Sequence, residues 1–357
     1  MPRLDTFSPS LRRALDGIPS LDGKAEVSAR RHLDSLTKPP GSLGRLEELA
    51  AQLAAIQGRA PSVATKALVI FAGDHGVAAR GVSAYPAAVT PQMVLNFLRG
   101  GAAANVLARQ AAASVTVVDV GVDHDFGDVP GLLARKIRRG TRDLCVEDAL
   151  TADECLRALD VGLELARELA AGGADCLVAG EMGIANTTAA TAIFCALYGL
   201  VPLDVVGRGT GVDDPGLLRK CEAIELALSR HGAHRREPLE ILSSLGGCEI
   251  AAIAGFAIGA AASGVAMIVD GFIATAGAAI AIALDPRVRG FLFFGHRSDE
   301  RAHGVVLERI GARPMLDLGM RLGEGTGALL AAHLLDAACR IYGEMATFAD
   351  AGIPERA

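Results

Sequence analysis

The chain has 357 residues, of which 51% are hydrophobic, 4% aromatic and 21% charged, with 42 glycines and no tryptophan. Glycine, at roughly 12% against an average near 7%, follows no three-residue period, which excludes collagen, and the apolar excess excludes a disordered chain. The charge balance of 35 basic against 41 acidic residues, net −6, offers no sustained basic face for a nucleic-acid backbone.

The first residues, MPRLDTFSPSLRRALDG, mix charge with proline and lack an apolar h-region, so no secretory signal is expected. Leu and Ala at three- and four-residue spacings predict helices to about residue 60, interrupted by the loop Thr37-Lys38-Pro39-Pro40-Gly41-Ser42. Short apolar runs then end in glycine-rich turns, and strands are predicted at 67–71, 115–122, 175–179, 203–206, 265–269 and 291–294. Helical stretches such as 152–171 and 273–284 lie between most of them. Strands apolar on both faces and alternating with helices predict a parallel sheet covered on both faces. A last helix, 327–342, is expected to pack back on the N-terminal helices. The chain then divides into a small helical domain, 1–62 plus 328–357, and a large α/β domain, 63–327.

The stretch 250–269 is twenty residues without a charge and contains Gly255-x-x-x-Gly259, enough in length for a membrane span. Its Ala and Gly content inserts poorly, and it is bounded by Glu249 and Asp270. A buried helix followed by a buried strand is expected instead. The basic clusters 135–139 and Arg235-Arg236 are short. Seven cysteines without CxxC or zinc-finger spacing fit buried, inert thiols in a reducing cytoplasm.

In open α/β sheets ligands bind outside the carboxyl ends of the strands. The loops 72–76, 180–183, 207–211, 270–271 and 295–298 are all placed there by the predicted strands, and most are glycine-rich. In Gly183-Ile184-Ala185-Asn186-Thr187-Thr188, Asn186 or Thr187 is expected to cap the next helix, where free backbone N–H groups favour an anion. The alternative is an ordinary capped turn. Gly207-x-Gly209-x-Gly211 lacks the third glycine of a dinucleotide fingerprint, Asp214 standing there, and no P-loop lysine follows any glycine loop. Lys220 is either a point charge for a phosphate or a solvated lysine. Arg321-Leu322-Gly323-Glu324-Gly325-Thr326-Gly327 sets one carboxylate among glycines before a helix. Accessible and partly desolvated, Glu324 would have a raised pKa and suit general-base work; otherwise it caps the helix. Glu181 has a similar setting at a strand end. Asp74-His75 invites a metal or dyad reading, but no second histidine lies at ligand spacing, and HExxH, EF-hand and GxSxG are absent. No metal site is expected, and His75 reads as a satisfied loop residue.

The strings TKPPGSLGRL (37–46), GDHGV (73–77), GEMGIANTT (180–188), DGF (270–272) and RLGEGTG (321–327), in this order, resemble the nicotinate-nucleotide–dimethylbenzimidazole phosphoribosyltransferase family. The resemblance runs from about residue 30 to 340. It implies a Rossmann-like parallel sheet with a small helical domain from both termini, a cytoplasmic homodimer, and no cofactor. It implies transfer of phosphoribose from nicotinate mononucleotide to 5,6-dimethylbenzimidazole with inversion, for the nucleotide loop of cobalamin. By carry-over, Glu324 is the base and Glu181 a second catalytic carboxylate. Gly183, Lys220, Asp270, Gly295 and His296 would face the phosphoribosyl group, and Tyr85, Met93 and Leu322 the benzimidazole. The alternatives are the same fold acting on another acceptor (adenine, a phenol or another azole), or a non-catalytic mononucleotide sensor.

Overall fold

The computed structural model describes residues 7–232 and 237–354; the Arg235-Arg236 pair and the extreme ends of the proposed terminal domain lie outside the described residues. Three helices open the chain, α1 (Pro9–Asp16), α2 (Gly23–Ser35) and α3 (Arg45–Gln57), with 37–44 as the expected interruption. There follow β1 (Lys66–Gly73), α4 (Val89–Leu98), α5 (Ala103–Gln110), β2 (Ala113–Gly121), β3 (Leu132–Ala134) and α6 (Ala152–Ala171). Next come β4 (Cys176–Met182), α7 (Asn186–Tyr198), α8 (Pro202–Val205), α9 (Asp214–His231) and α10 (Pro238–Leu245). The chain continues through α11 (Cys248–Ala262), β5 (Ala266–Val269), α12 (Phe272–Leu284), β6 (Leu292–Phe294) and α13 (His303–Ile310), and closes with α14 (Thr326–Glu344) and α15 (Phe348–Ala351).

The strands form one sheet, every pair parallel, in the order β3-β2-β1-β4-β5-β6. That is the doubly wound order, and its direction reverses between β1 and β4, where a crevice opens beyond the strand ends. β1 is buried along its whole length, as strands between two helical layers must be. β3 is absent from the predicted strands; it is three residues at the sheet edge, too short to carry a pattern.

One predicted strand is wrong. Residues 203–205 belong to the helical turn α8 and Val206 is the extended residue that ends it, because Pro202 at its first position presets the helical φ and needs no N–H partner. The 207–211 loop therefore links two helices and does not leave a strand.

The run 250–269 resolves as expected into α11 and β5. Its GxxxG serves a helix crossing inside the core: a Cβ on Gly255 would stand 1.8 Å from the Leu159 carbonyl oxygen, and one on Gly162 of α6 1.7 Å from that of Ala252. Only glycine lets these two backbones touch. Among the described residues no helix is long and apolar enough to cross a membrane. Small residues thus explain how a chain with few aromatics packs densely.

Candidate active site

The carboxyl ends of β1 and β4 and the loop before α14 bring several acidic side chains together. Glu324 has φ of 64° and sits between Gly323 and Gly325, at 82° and 87°, so three consecutive residues hold the left-handed conformation. This turn folds the carboxylate inward. Glu324 is only 5% exposed, contrary to the accessible position expected for it. Burial pushes its carboxyl up to about 7, against a backbone hydrogen bond from Ala104 and with help from the Asp270 charge. Ala104 lies in the first turn of α5, so the carboxylate meets a helix N-terminus, though not that of the helix its own loop begins. Its Oε2 has no hydrogen-bond partner.

Asp270, at the end of β5, fixes that turn. Its Oδ2 accepts from the Gly325 N–H at 3.1 Å and its Oδ1 from the Ala328 N–H at 2.8 Å, satisfying the start of α14. Burial raises its pKa, opposed by His296. The sequence missed this capping role because the partners lie 55 and 58 residues apart.

Glu181, on β4, is buried and accepts a hydrogen bond from the Asn186 amide. A Cβ on Gly323 would stand 2.2 Å from its Oε1, so the Glu324 turn is laid directly on this carboxyl. Burial, then the charges of Asp270 and Glu249, push Glu181 up to about 8. Gly183 follows β4 and turns the chain, its carbonyl accepting from the Asn186 N–H at 3.2 Å.

Contrary to expectation, neither Asn186 nor Thr187 caps α7. The cap position is Ala185 at φ 75°, without a side-chain bond. Both side chains are used elsewhere, Asn186 on Glu181 and Thr187 on Lys220. Lys220 is wholly buried, not solvated; its Nζ donates to Thr187 Oγ1 at 2.7 Å and to the Gly207 carbonyl at 3.1 Å. Burial lowers its pKa to about 8 despite the nearby Glu300 carboxylate. Beside it a cavity of about 360 Å³ is lined by Gly207, Arg208, Gly211, Glu300, Arg301 and Arg321. Glu300 has one buried oxygen, Oε2, without a partner.

Gly295 leaves β6 with its N–H on the Val269 carbonyl at 2.8 Å. His296 is buried with Nε2 3.9 Å from Asp270 Oδ1, and its ring lies so close to Gly327 that a Cβ there would meet it at 1.9 Å. Of the residues expected around the base, Tyr85 is 56% and Leu322 57% exposed, and Met93 is half-buried on α4. The 83–85 segment is tied to the 207–211 loop through Thr210, whose hydroxyl oxygen accepts from the Ala84 N–H at 2.9 Å.

His75 is satisfied at one ring nitrogen only, contrary to the fully satisfied loop residue expected: Nδ1 is buried without a hydrogen-bond partner, and the partner of Nε2 is one that the sequence marks only as the edge of an apolar run. Its Nε2 meets Glu249 Oε1 at 2.6 Å, both side chains fully buried. Burial works against the charged imidazole, yet Glu249 outweighs it and the pKa is raised. Among the described residues no three His, Cys, Asp or Glu side chains are grouped as a metal site. The seven cysteines are free thiols; six are buried.

Fold and site together define an α/β enzyme with a buried acid–base cluster at the switch point of a parallel sheet. A family model described as phosphoribosyltransferase matches residues 18–353, and the chain belongs to that family. Two relatives bear the name nicotinate-nucleotide–dimethylbenzimidazole phosphoribosyltransferase. The protein of Chloroflexus aggregans is 51% identical over 97% of this chain and 98% of its own. That of Geobacter sulfurreducens is likewise 51% identical, again over 97% and 98%. The crystal structure of CobT from Thermus thermophilus matches with a TM-score of 0.90 and 51% identity, covering 93% of this chain and 100% of that one. The resemblance read from the five motif strings is borne out.

Proposed function

We propose that this enzyme transfers phosphoribose from nicotinate mononucleotide to 5,6-dimethylbenzimidazole, giving α-ribazole 5′-phosphate and nicotinate for cobalamin synthesis. The observation that carries the reading is Glu324: a buried carboxyl near pKa 7 with one unpartnered oxygen, at the crevice of the sheet.

The chemistry follows from what each substrate lacks. Neutral benzimidazole attacks the anomeric carbon through its bare nitrogen, and the product stays cationic unless the opposite N–H proton leaves. Glu324 receives that proton; a base titrating near the working pH combines a useful ionised fraction with a strong pull. The glycosidic bond of nicotinate mononucleotide joins ribose to a positively charged ring nitrogen, and its cleavage spreads positive charge over the sugar. Glu181, ionised once such a cation lies beside it, stabilises that charge. A single displacement inverts the anomeric centre and needs no enzyme nucleophile.

The phosphate end is assigned to Lys220, Thr187 and the 207–211 loop. Lys220 has three N–H donors and uses two on protein, leaving one for a phosphate oxygen. Gly183, Gly295 and His296 wall the ribose side. Asp270 serves it by fixing the Glu324 turn. The flat acceptor is placed among Tyr85, Met93 and Leu322. We also propose that 1–62 and 328–357 form a helical unit distinct from 63–327, that the enzyme works in the cytoplasm as a homodimer, and that nucleic acid is no partner.

The test is direct. Purified protein given nicotinate mononucleotide and dimethylbenzimidazole should release nicotinate and form the α-anomer. Competition among benzimidazole, adenine and phenols by kcat/KM ranks the acceptors. Mononucleotide binding without nicotinate release from any acceptor would replace the enzyme with a sensor.

A further inference from the structure

Two strand-end loops of the site, 270–271 after β5 and 295–298 after β6, share no strand pairing beyond Val269 and Phe294. Something else must hold them in register. The fully buried His303, first residue of α13, lies between them. Its Nδ1 accepts from the Ser298 N–H at 2.7 Å, so that nitrogen carries no proton. Its Nε2 is 3.0 Å from Thr275 Oγ1. The Thr275 hydroxyl has its own proton committed to the Gly271 carbonyl, at 2.7 Å, so Nε2 is the donor in that bond. One tautomer satisfies every group: Ser298 N–H to Nδ1, Nε2–H to Thr275, Thr275 O–H to Gly271. Burial, then His296 and Arg297, hold the pKa at about 3, so the ring stays neutral and the direction of the relay does not change with ordinary pH. Phe272 packs edge-on against it, with ring centroids 6.0 Å apart.

We infer that His303 is a positioning residue for phosphoribosyl transfer, registering the 295–298 loop against the 270–271 turn so that His296 and Asp270 present one wall to the ribose phosphate. The wall rests on the assignment made above, but the relay itself stands on the hydrogen bonds. His303 touches neither substrate nor reacting atoms. It acts through Gly271, next to Asp270, and Ser298, two residues beyond His296.

The variants separate the relay from bulk. His303→Leu fills the space and removes both hydrogen bonds. His303→Gln keeps an acceptor and a donor on one planar group. Thr275→Val breaks the middle link without touching the histidine. His303→Leu is expected to raise the KM for nicotinate mononucleotide about tenfold, the effect of losing one to two neutral hydrogen bonds, with the KM for dimethylbenzimidazole within about twofold. His303→Gln should recover most of that loss, and Thr275→Val should show the same selective rise. Amide exchange should quicken in His303→Leu at both 270–275 and 297–299. Nitrogen chemical shifts of the wild-type imidazole should show Nε2 protonated and Nδ1 bare. Equal rises in both KM values, a Gln variant no better than Leu, a protonated Nδ1, or exchange altered on one loop alone would overturn the inference. If the wild-type enzyme releases no nicotinate, the proposed function falls, while exchange and tautomer still decide the relay.

Discussion

Glu324→Gln separates ionisation from shape, because glutamine keeps the size of the side chain and an oxygen to accept from Ala104. Its effect on stability can be worked from the structure. The carboxyl titrates at about 7 in the folded chain against an ordinary 4.5. Below pH 4.5 it is protonated in both states and costs nothing. Between 4.5 and 7 the unfolded chain ionises while the folded one does not, so stability is lost as pH rises. At 1.36 kcal/mol per pH unit, the loss reaches about 3 kcal/mol above pH 7. Glutamine does not titrate. Whatever fixed difference its unpaired amide introduces, the stability of Glu324→Gln relative to wild type should improve by about 3 kcal/mol between pH 4 and pH 8.

The same variant should lose about 10²–10⁴-fold in kcat, the usual contribution of a general base. Wild-type kcat/KM should fall tenfold per unit of acidification below about 7, and the residual activity of the variant should not. Urea unfolding at both pH values, beside a nicotinate-release assay, reads both effects on one preparation. A variant that is inactive and destabilised equally at pH 4 and 8 would show a structural side chain and refute the base. Full turnover would refute it more simply.

Three further outcomes follow from the neighbouring groups. Glu181→Gln should lower kcat by about 10²-fold, the scale of one removed electrostatic stabiliser, with the KM for dimethylbenzimidazole unchanged; an acceptor-side KM effect would move Glu181 to the other substrate. Lys220→Met should raise the KM for nicotinate mononucleotide by about 10–100-fold, as one charged hydrogen bond does, and leave that for the acceptor alone; an equal rise in both would place the phosphate elsewhere. Binding of nicotinate mononucleotide at pH 7 should release protons, because a cationic ring beside carboxyls raised to about 8 and about 7 favours their ionised forms. Calorimetry in buffers of different ionisation enthalpy measures this, and proton uptake would contradict it.

The sheet is legible because its strands are apolar on both faces and end in glycine, a pattern that does not depend on neighbours. Residues 203–206 mislead because Leu203, Val205 and Val206 read alike in a strand and in a buried turn, and the preceding proline decides between them. In the site, Glu324 and Glu181 are visible as carboxylates among glycines, but the inward turn of Glu324 is not. Left-handed φ at a non-glycine residue goes with a turn whose Gly323 lies against Glu181, a tertiary contact that no local pattern marks. Asn186 and Thr187 stand out for the wrong reason. Residues that favour helix starts read as caps, whereas a buried acid and a buried lysine claim their side chains. Glu249, Glu300 and His303 carry no local signal. Each is defined by a partner or a cavity distant in sequence.

The glycine excess and the carboxyl cluster are two sides of one arrangement. Asp74, Glu181 and Asp270 are buried at the ends of β1, β4 and β5, with Glu249 buried in the first turn of α11 and Glu324 in the loop before α14. Of these five only Glu249 has an ion pair as close as 2.6 Å, with His75. Burial raises the pKa of Asp74, Glu181, Asp270 and Glu324 alike, and with Glu181 at about 8 and Glu324 at about 7 these two hold protons near neutral pH in a site built to face positive charge. Backbones without Cβ atoms let these groups approach, as where Gly323 lies on Glu181 and Gly327 on His296. A ribosyl centre that becomes cationic meets carboxylates already oriented and desolvated, with no side chain left to rearrange. The cost is borne by folding stability above neutral pH, and catalysis recovers it only when a substrate carrying that charge arrives.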